Sequence, residues 1–189
     1  WGQGVLAHLL GDERASEDAF RRALALAEAP ERRDLNVARD VLFNLGFLFQ
    51  TQGRLPEALD ALGRAIEVAD LLGTQHELAI MHFRRGTVLG RCGRPDAAFA
   101  AFAQAIDTIE SLRGATEGEE LKLGLLGTTQ QLYEAMVLLC LEQGQAALAF
   151  DYVERARSRA FLDALAAKAP DLYDRAAQPV ATLAEVQAR

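Results

Sequence analysis

Three histidines, two cysteines and a few adjacent acids are the side chains of this chain best suited to chemistry. Ligands that share a metal from one helix sit three or four residues apart, on one face. His76 and His82 are six apart and His8 is remote from both, so packing or surface roles are expected of all three. A thiol nucleophile with a histidine base is the next arrangement to test. Cys92 and His82 lie ten residues apart on one expected helix. That is roughly 15 Å along the axis, beyond the reach of a proton transfer. The cysteine pair Cys92 and Cys140 gives no disulfide framework, which suits a reducing cytoplasm. Glu119-Glu120 has the sign that favours a helix start. Phosphate loops, zinc spacings and nucleophile elbows do not occur in the sequence. With no acid, base and nucleophile at workable spacing, the chain is expected to be no enzyme and to hold no cofactor or metal.

The elements that would position these residues announce themselves by repetition. Gly11 is followed by Ser16, Phe20 and Ala23, and Gly53 by Ala58, Leu62 and Ala65. Gly93 is followed by Ala98, Phe102 and Ala105, and Gly144 by Ala149, Val153 and Ala156. Seven residues before three of these glycines stands another, Gly4, Gly46 or Gly86, and Val137 takes that place in the fourth. The later glycine of each set is expected to adopt the left-handed backbone that ends one helix and reverses the chain. The earlier one and the alanines suit the crossing of two antiparallel helices. The large residue is expected to project into the neighbouring hairpin. A single hairpin cannot bury its apolar face alone, so several must stack.

The segment Asn44-Leu45-Gly46-Phe47-Leu48-Phe49, continued by Gly53, Ala58, Leu62 and Ala65, resembles the tetratricopeptide repeat. The resemblance covers roughly residues 1–168 and implies an all-α, right-handed superhelical array of about four helical hairpins. The expected repeats are 1–30, 31–73, 74–113 and 114–168, with 169–189 a linker or the start of a following domain. Spacing between turn glycines exceeds the ~34 residues of the standard repeat, so the helices must be longer. A helix from Pro30 to Gln52, a loop over Arg113–Gly118 capped by Thr116-x-x-Glu119, and a long helix from about Glu117 to Gln143 are expected. Pro170 opens the linker, and Thr182-x-x-Glu185 is expected to cap a short last helix.

In such arrays the first helix of each pair lines the inner face, where partners bind. Counting back from the turn glycines places Asn36, Asp40, Phe43, Phe47 and Gln50 there from the second repeat. His76, Ile80, Phe83, Thr87 and Arg91 come from the third, and Gln131, Glu134, Leu138 and Leu141 from the fourth. Asn44, Arg84 and Arg91 are the expected polar contacts. Phe43, Phe47 and Phe83 are unusually apolar for a face open to water. Either they grip an apolar or helical segment of a partner, or the array is curled tightly enough to pack them within itself. A Lys/Arg/Asn cluster of the kind that grips a C-terminal carboxylate is missing.

At 189 residues the length suits one domain, able to bury about 70% of its unfolded surface. Half the residues are hydrophobic and only 7% aromatic, a mix suited to closely packed helices. A net charge of −7 argues against a nucleic-acid partner. No apolar run reaches the length of a membrane span, and no signal peptide is visible. A cytoplasmic location and a protein or peptide partner are therefore expected. Trp1 falls inside a repeat, so the native chain is expected to extend upstream. A dimer through exposed end repeats stays open.

Tyr152-Val153-Glu154-Arg155-Ala156-Arg157-Ser158-Arg159-Ala160-Phe161-Leu162 resembles the segment that closes the repeat array in bacterial CHAT proteins. Pro179–Arg189 resembles the opening of the caspase-like peptidase domain that follows there. The resemblance implies a regulatory arm whose partner includes its own C-terminal domain. The family's catalytic His and Cys would lie beyond Arg189. A stand-alone adaptor, or a regulator docking on a signalling or transcription protein, remains the alternative.

Overall fold

The computed structural model describes residues 1–31, 33–115 and 119–168, the side chains of 113–128, 163 and 166–168 excepted. The described residues form eight α-helices and no strand: α1 Gly2–Leu9, α2 Glu13–Glu28, α3 Leu35–Thr51, α4 Leu55–Leu72, α5 Gln75–Arg91, α6 Pro95–Ala115, α7 Glu119–Glu142 and α8 Ala146–Lys168. They pair in chain order as α1/α2, α3/α4, α5/α6 and α7/α8, and each hairpin packs on the next. The turn glycines Gly11, Gly53, Gly93 and Gly144 have φ of +77°, +74°, +66° and +70°. That left-handed backbone is costly for any side chain, which explains why glycine recurs there.

Local signals fix several ends. Asp12 caps α2 by accepting from the Ala15 N–H at 3.0 Å, and Asp34 caps α3 by accepting from the Val37 N–H at 3.1 Å. This second cap corrects the expected helix start near Pro30. Pro30 donates no hydrogen bond, and the Asp34 carboxylate satisfies the orphan amide at Val37, so α3 begins at Leu35. α6 also differs from expectation. It runs to Ala115, three residues into the expected loop, because nothing before Gly114 interrupts its helix-forming sequence. α7 runs as one helix through Gly124 and Gly127. The box at Thr116, the linker 169–189 and the Thr182–Glu185 cap lie outside the described residues.

Packing explains the second recurring glycine. A methyl group at Gly46 would come within 2.7 Å of Leu62, at Gly4 within 2.7 Å of Phe20, and at Gly86 within 2.5 Å of Phe102. In the first three hairpins the large residue therefore packs back onto the glycine of its own hairpin. Its side chain fills the volume that the glycine lacks. In the first hairpin the Ser16 hydroxyl also donates to the Gly4 carbonyl at 2.9 Å. Phe20, Leu42, Leu48 and Leu62 anchor one part of the core, and Phe102, Ile106, Leu132 and Met136 the other. Leu59 touches both, so the apolar interior is continuous.

Polar side chains bind hairpin to hairpin. The Arg54 guanidinium donates to Glu17 of α2 at 2.8 Å, pairs with Glu57 on its own helix and stacks 4.3 Å from the Phe49 ring. Arg64 reaches Glu28 of α2 at 2.6 Å. Glu110 of α6 accepts from the Tyr133 hydroxyl of α7 at 3.3 Å and from Arg159 of α8 at 3.1 Å.

Candidate partner-binding face

First helices of successive hairpins touch one another, α3 with α5 and α5 with α7, while α2, α4 and α6 stand further apart. That difference curls the array with the first helices inside. Each hairpin presents side chains of its first helix to the inner face, spaced by helical turns.

On α3, Asn36 is exposed at the first turn. Asp40 accepts from both Nε and Nη2 of the buried Arg39, which also donates to Thr74 at 3.4 Å. The Asn44 amide donates to the Asp40 carbonyl at 2.7 Å. Phe43 is half-buried against the first part of the core. Phe47 is half-buried between neighbours from two other first helices. The His8 ring of α1 meets it edge-on at 5.6 Å, and the Arg84 guanidinium of α5 lies 5.1 Å from its centroid. Gln50, one turn further on, is buried, and its side-chain amide oxygen Oε1 has no hydrogen-bond partner, whereas its main-chain carbonyl accepts from Arg91.

On α5, His76 and Ile80 are half-buried. Phe83 packs 5.9 Å from the Phe102 ring, Thr87 donates to the Phe83 carbonyl at 3.1 Å, and Arg91 donates to the Gln50 carbonyl at 2.9 Å. On α7, Gln131 and Glu134 are exposed, and Leu138 and Leu141 are 60% and 53% exposed. The structure thus brings Phe47, Gln50, Arg84 and Arg91 together, while Phe83 belongs to its own hairpin's interior. His8 was missed in the sequence. It stands three residues before its turn glycine, the register of Gln50, and aligning the repeats would have found it.

Charge separates the two sides of the first three hairpins. α1, α3 and α5 hold four arginines and two acidic residues, whereas α2, α4 and α6 hold five arginines and eleven acidic residues. Burial shapes the ionisable groups. Desolvation alone pulls Arg84 below its usual value, since no carboxylate supports its charge. Desolvation, with Arg85 nearby, pulls His82 down against the weaker opposing pull of Asp70. Burial pushes the Cys140 thiol up, away from nucleophilic thiolate character. No three His, Cys, Asp or Glu side chains cluster as metal ligands among the described residues, and none of the helices searched is long and apolar enough to cross a membrane.

The tetratricopeptide repeat profile matches residues 36–116. That stretch of the chain, α3 to α6, carries tetratricopeptide repeats. Proteins of this family generally bind protein partners. The apo form of RapI superposes over 82% of this chain with a TM-score of 0.69 at 13% identity. The chain spans about half of RapI, covering 52% of it. BtubC (BKLC) from P. vanneervenii superposes over 85% of this chain and 78% of its own, with a TM-score of 0.53 at 16% identity. At these identities the likeness is one of fold. No curated protein matches the sequence.

Proposed function

We propose that the inner face of α3, α5 and α7 binds a peptide or helix of a partner protein, and that the chain is the regulatory arm of a larger CHAT-type caspase-like protein. The observation that carries the binding reading is the half-buried Phe47 ring, framed by side chains of α1 and α5, and it is supported by the exposure of Leu138 and Leu141, which hold the repeat registers of Phe47 and Gln50 on α7. Apolar surface beside fixed polar groups is what peptide recognition needs. The arm reading rests on the sequence of α8, and is supported by the exposure of its Phe150, Phe161, Leu162 and Leu165. A following element would cover those side chains. A partner on the inner face would then shift the last two hairpins and pass the change through α8.

Peptides selected on the 189-residue chain from a random display library test the binding site. Thr87→Arg and Leu138→Glu are expected to abolish capture, and Leu71→Glu, on α4, to leave it intact. The reverse pattern overturns the inner-face reading. Mass spectrometry of the native protein tests the arm: peptides of a caspase-like domain beyond Arg189 support it. A native chain without one leaves a stand-alone adaptor.

A further inference from the structure

The arginines of this chain divide by environment. Arg21, Arg39, Arg54, Arg64, Arg157 and Arg159 each reach a carboxylate. Arg14, Arg22, Arg33 and Arg94 are exposed, where water satisfies them. Arg84 and its neighbour Arg85 have neither arrangement: both are half-buried without an ion pair among the described residues, although the chain carries a net charge of −7. Of the two, Arg84 lies over the Phe47 ring. A desolvated cation without a counter-charge is costly, and an acidic protein has many ways to supply one.

Two further polar groups beside the same ring lack partners. Nδ1 of His8, whose ring meets Phe47 edge-on, is buried without a hydrogen bond. So is Oε1 of Gln50, one turn beyond Phe47 on a side chain 92% buried. Arg91 adds a second cation nearby through its bond to the Gln50 carbonyl. Buried polar atoms are almost always satisfied, so these two orphaned atoms, together with a guanidinium that lacks a counter-charge, mark a place completed by something else.

We propose that this face takes an acidic peptide segment of a partner protein, with an internal Asp or Glu carboxylate seated on Arg84. This rests on the binding function proposed above and names the chemistry of its ligand. A carboxylate restores the counter-charge, and the Arg84 guanidinium over the Phe47 ring, with no carboxylate bound among the described residues, has N–H donors to receive it. The internal side chain, rather than a chain terminus, follows from the single guanidinium over the ring, which is not the basic cluster that grips a terminal carboxylate. The −6 balance of the outer helices α2, α4 and α6 adds direction, because it disfavours an acidic segment there and leaves the inner side, with its surplus of arginine, as the complementary one.

Random nonapeptides displayed on phage and selected on the 189-residue chain provide the probe, followed by fluorescence anisotropy on synthetic copies. Enrichment of Asp or Glu is expected at one internal position. Changing it to Asn or Gln should weaken binding to the wild-type chain about tenfold or more. The same change should matter little to Arg84→Gln, whose helicity and melting confirm folding. Amidating the peptide C-terminus should change nothing. Peptides that bind the inner face without an acidic preference overturn this proposal and leave the binding function standing. Loss of binding on amidation also overturns it, in favour of a terminal carboxylate. Failure to select any peptide overturns both. Should Arg84→Gln not fold, the Glu/Gln peptide pair on the wild-type chain still decides.

Discussion

The first three hairpins and the fourth solve one packing problem in two ways. In the first three, a glycine on the first helix faces a large residue on the second, and Phe20, Leu62 and Phe102 are at most 5% exposed. In the fourth, Val137 stands in the glycine's place and Val153 in the large residue's, and Val153 is 37% exposed. Both members of the pair change together, so what recurs is a shared volume at the helix crossing rather than a glycine. A second difference has another origin. Six residues after the turn glycine stand Leu59, Phe99 and Phe150 in the last three hairpins. Leu59 and Phe99 are partly buried against the core, whereas Phe150 is 63% exposed. An outer helix buries this register only when another hairpin follows it in space.

The largest test of this contrast is truncation. Phe102→Ala should cost about 4 kcal/mol in chemical denaturation, as expected for a buried aromatic, while Val153→Ala should cost under about 1 kcal/mol. Equal losses would mean that the fourth hairpin holds its crossing as tightly as the third.

Transplanting the fourth solution into the third sharpens the comparison. Gly86→Val alone places a branched side chain where even a methyl group meets Phe102 at 2.5 Å. Overpacking of this kind should cost about 2 kcal/mol. Adding Phe102→Val should recover about 1 kcal/mol of that loss, because the ring that clashed is gone. Strict additivity of the two changes would show that the residues do not share a volume, and would remove the account of the repeat given above.

How much of this was legible in the sequence depends on how local the cause is. The turn glycines were readable because a left-handed residue leaves a signature at a single position. Gly46 was readable as a small residue at a crossing, but not the direction of Leu62, since offsets within a repeat do not say which neighbour a side chain meets. The start of α3 was misread because four charged or polar residues after Pro30 look helical until the Asp34 side chain is seen to cap. The candidate face divides in the same way. Phe47, Gln50, Arg84 and Arg91 were visible as inner-face residues from register alone. Their proximity to His8, and the lack of a carboxylate at Arg84, are properties of three helices together and have no sequence signature.

The smallest expected effect is a pH dependence that separates the third hairpin from the fourth. His82 lies on α5, half-buried, with Nδ1 lacking a partner, and its pKa is pulled below the ordinary 6.5, first by desolvation and then by Arg85, against the opposing pull of Asp70. The folded state therefore resists protonation that the unfolded chain accepts. Stability from this site is complete above about pH 6.5, where both states are neutral, and falls as pH drops below that value because the unfolded state binds more protons. Lowering the pH from 7.5 to 5.5 should reduce the melting temperature of the wild-type chain more than that of His82→Gln, whose side chain does not titrate. α7 and α8 contain no histidine. Hydrogen exchange at pH 5.5 should accordingly show the added opening in α5 and the α4 helix carrying Asp70 before it reaches α8. A drop that is the same in His82→Gln would assign the acid sensitivity to the carboxylates that pair with arginine, such as Glu57, and would place it on the outer side of the array instead.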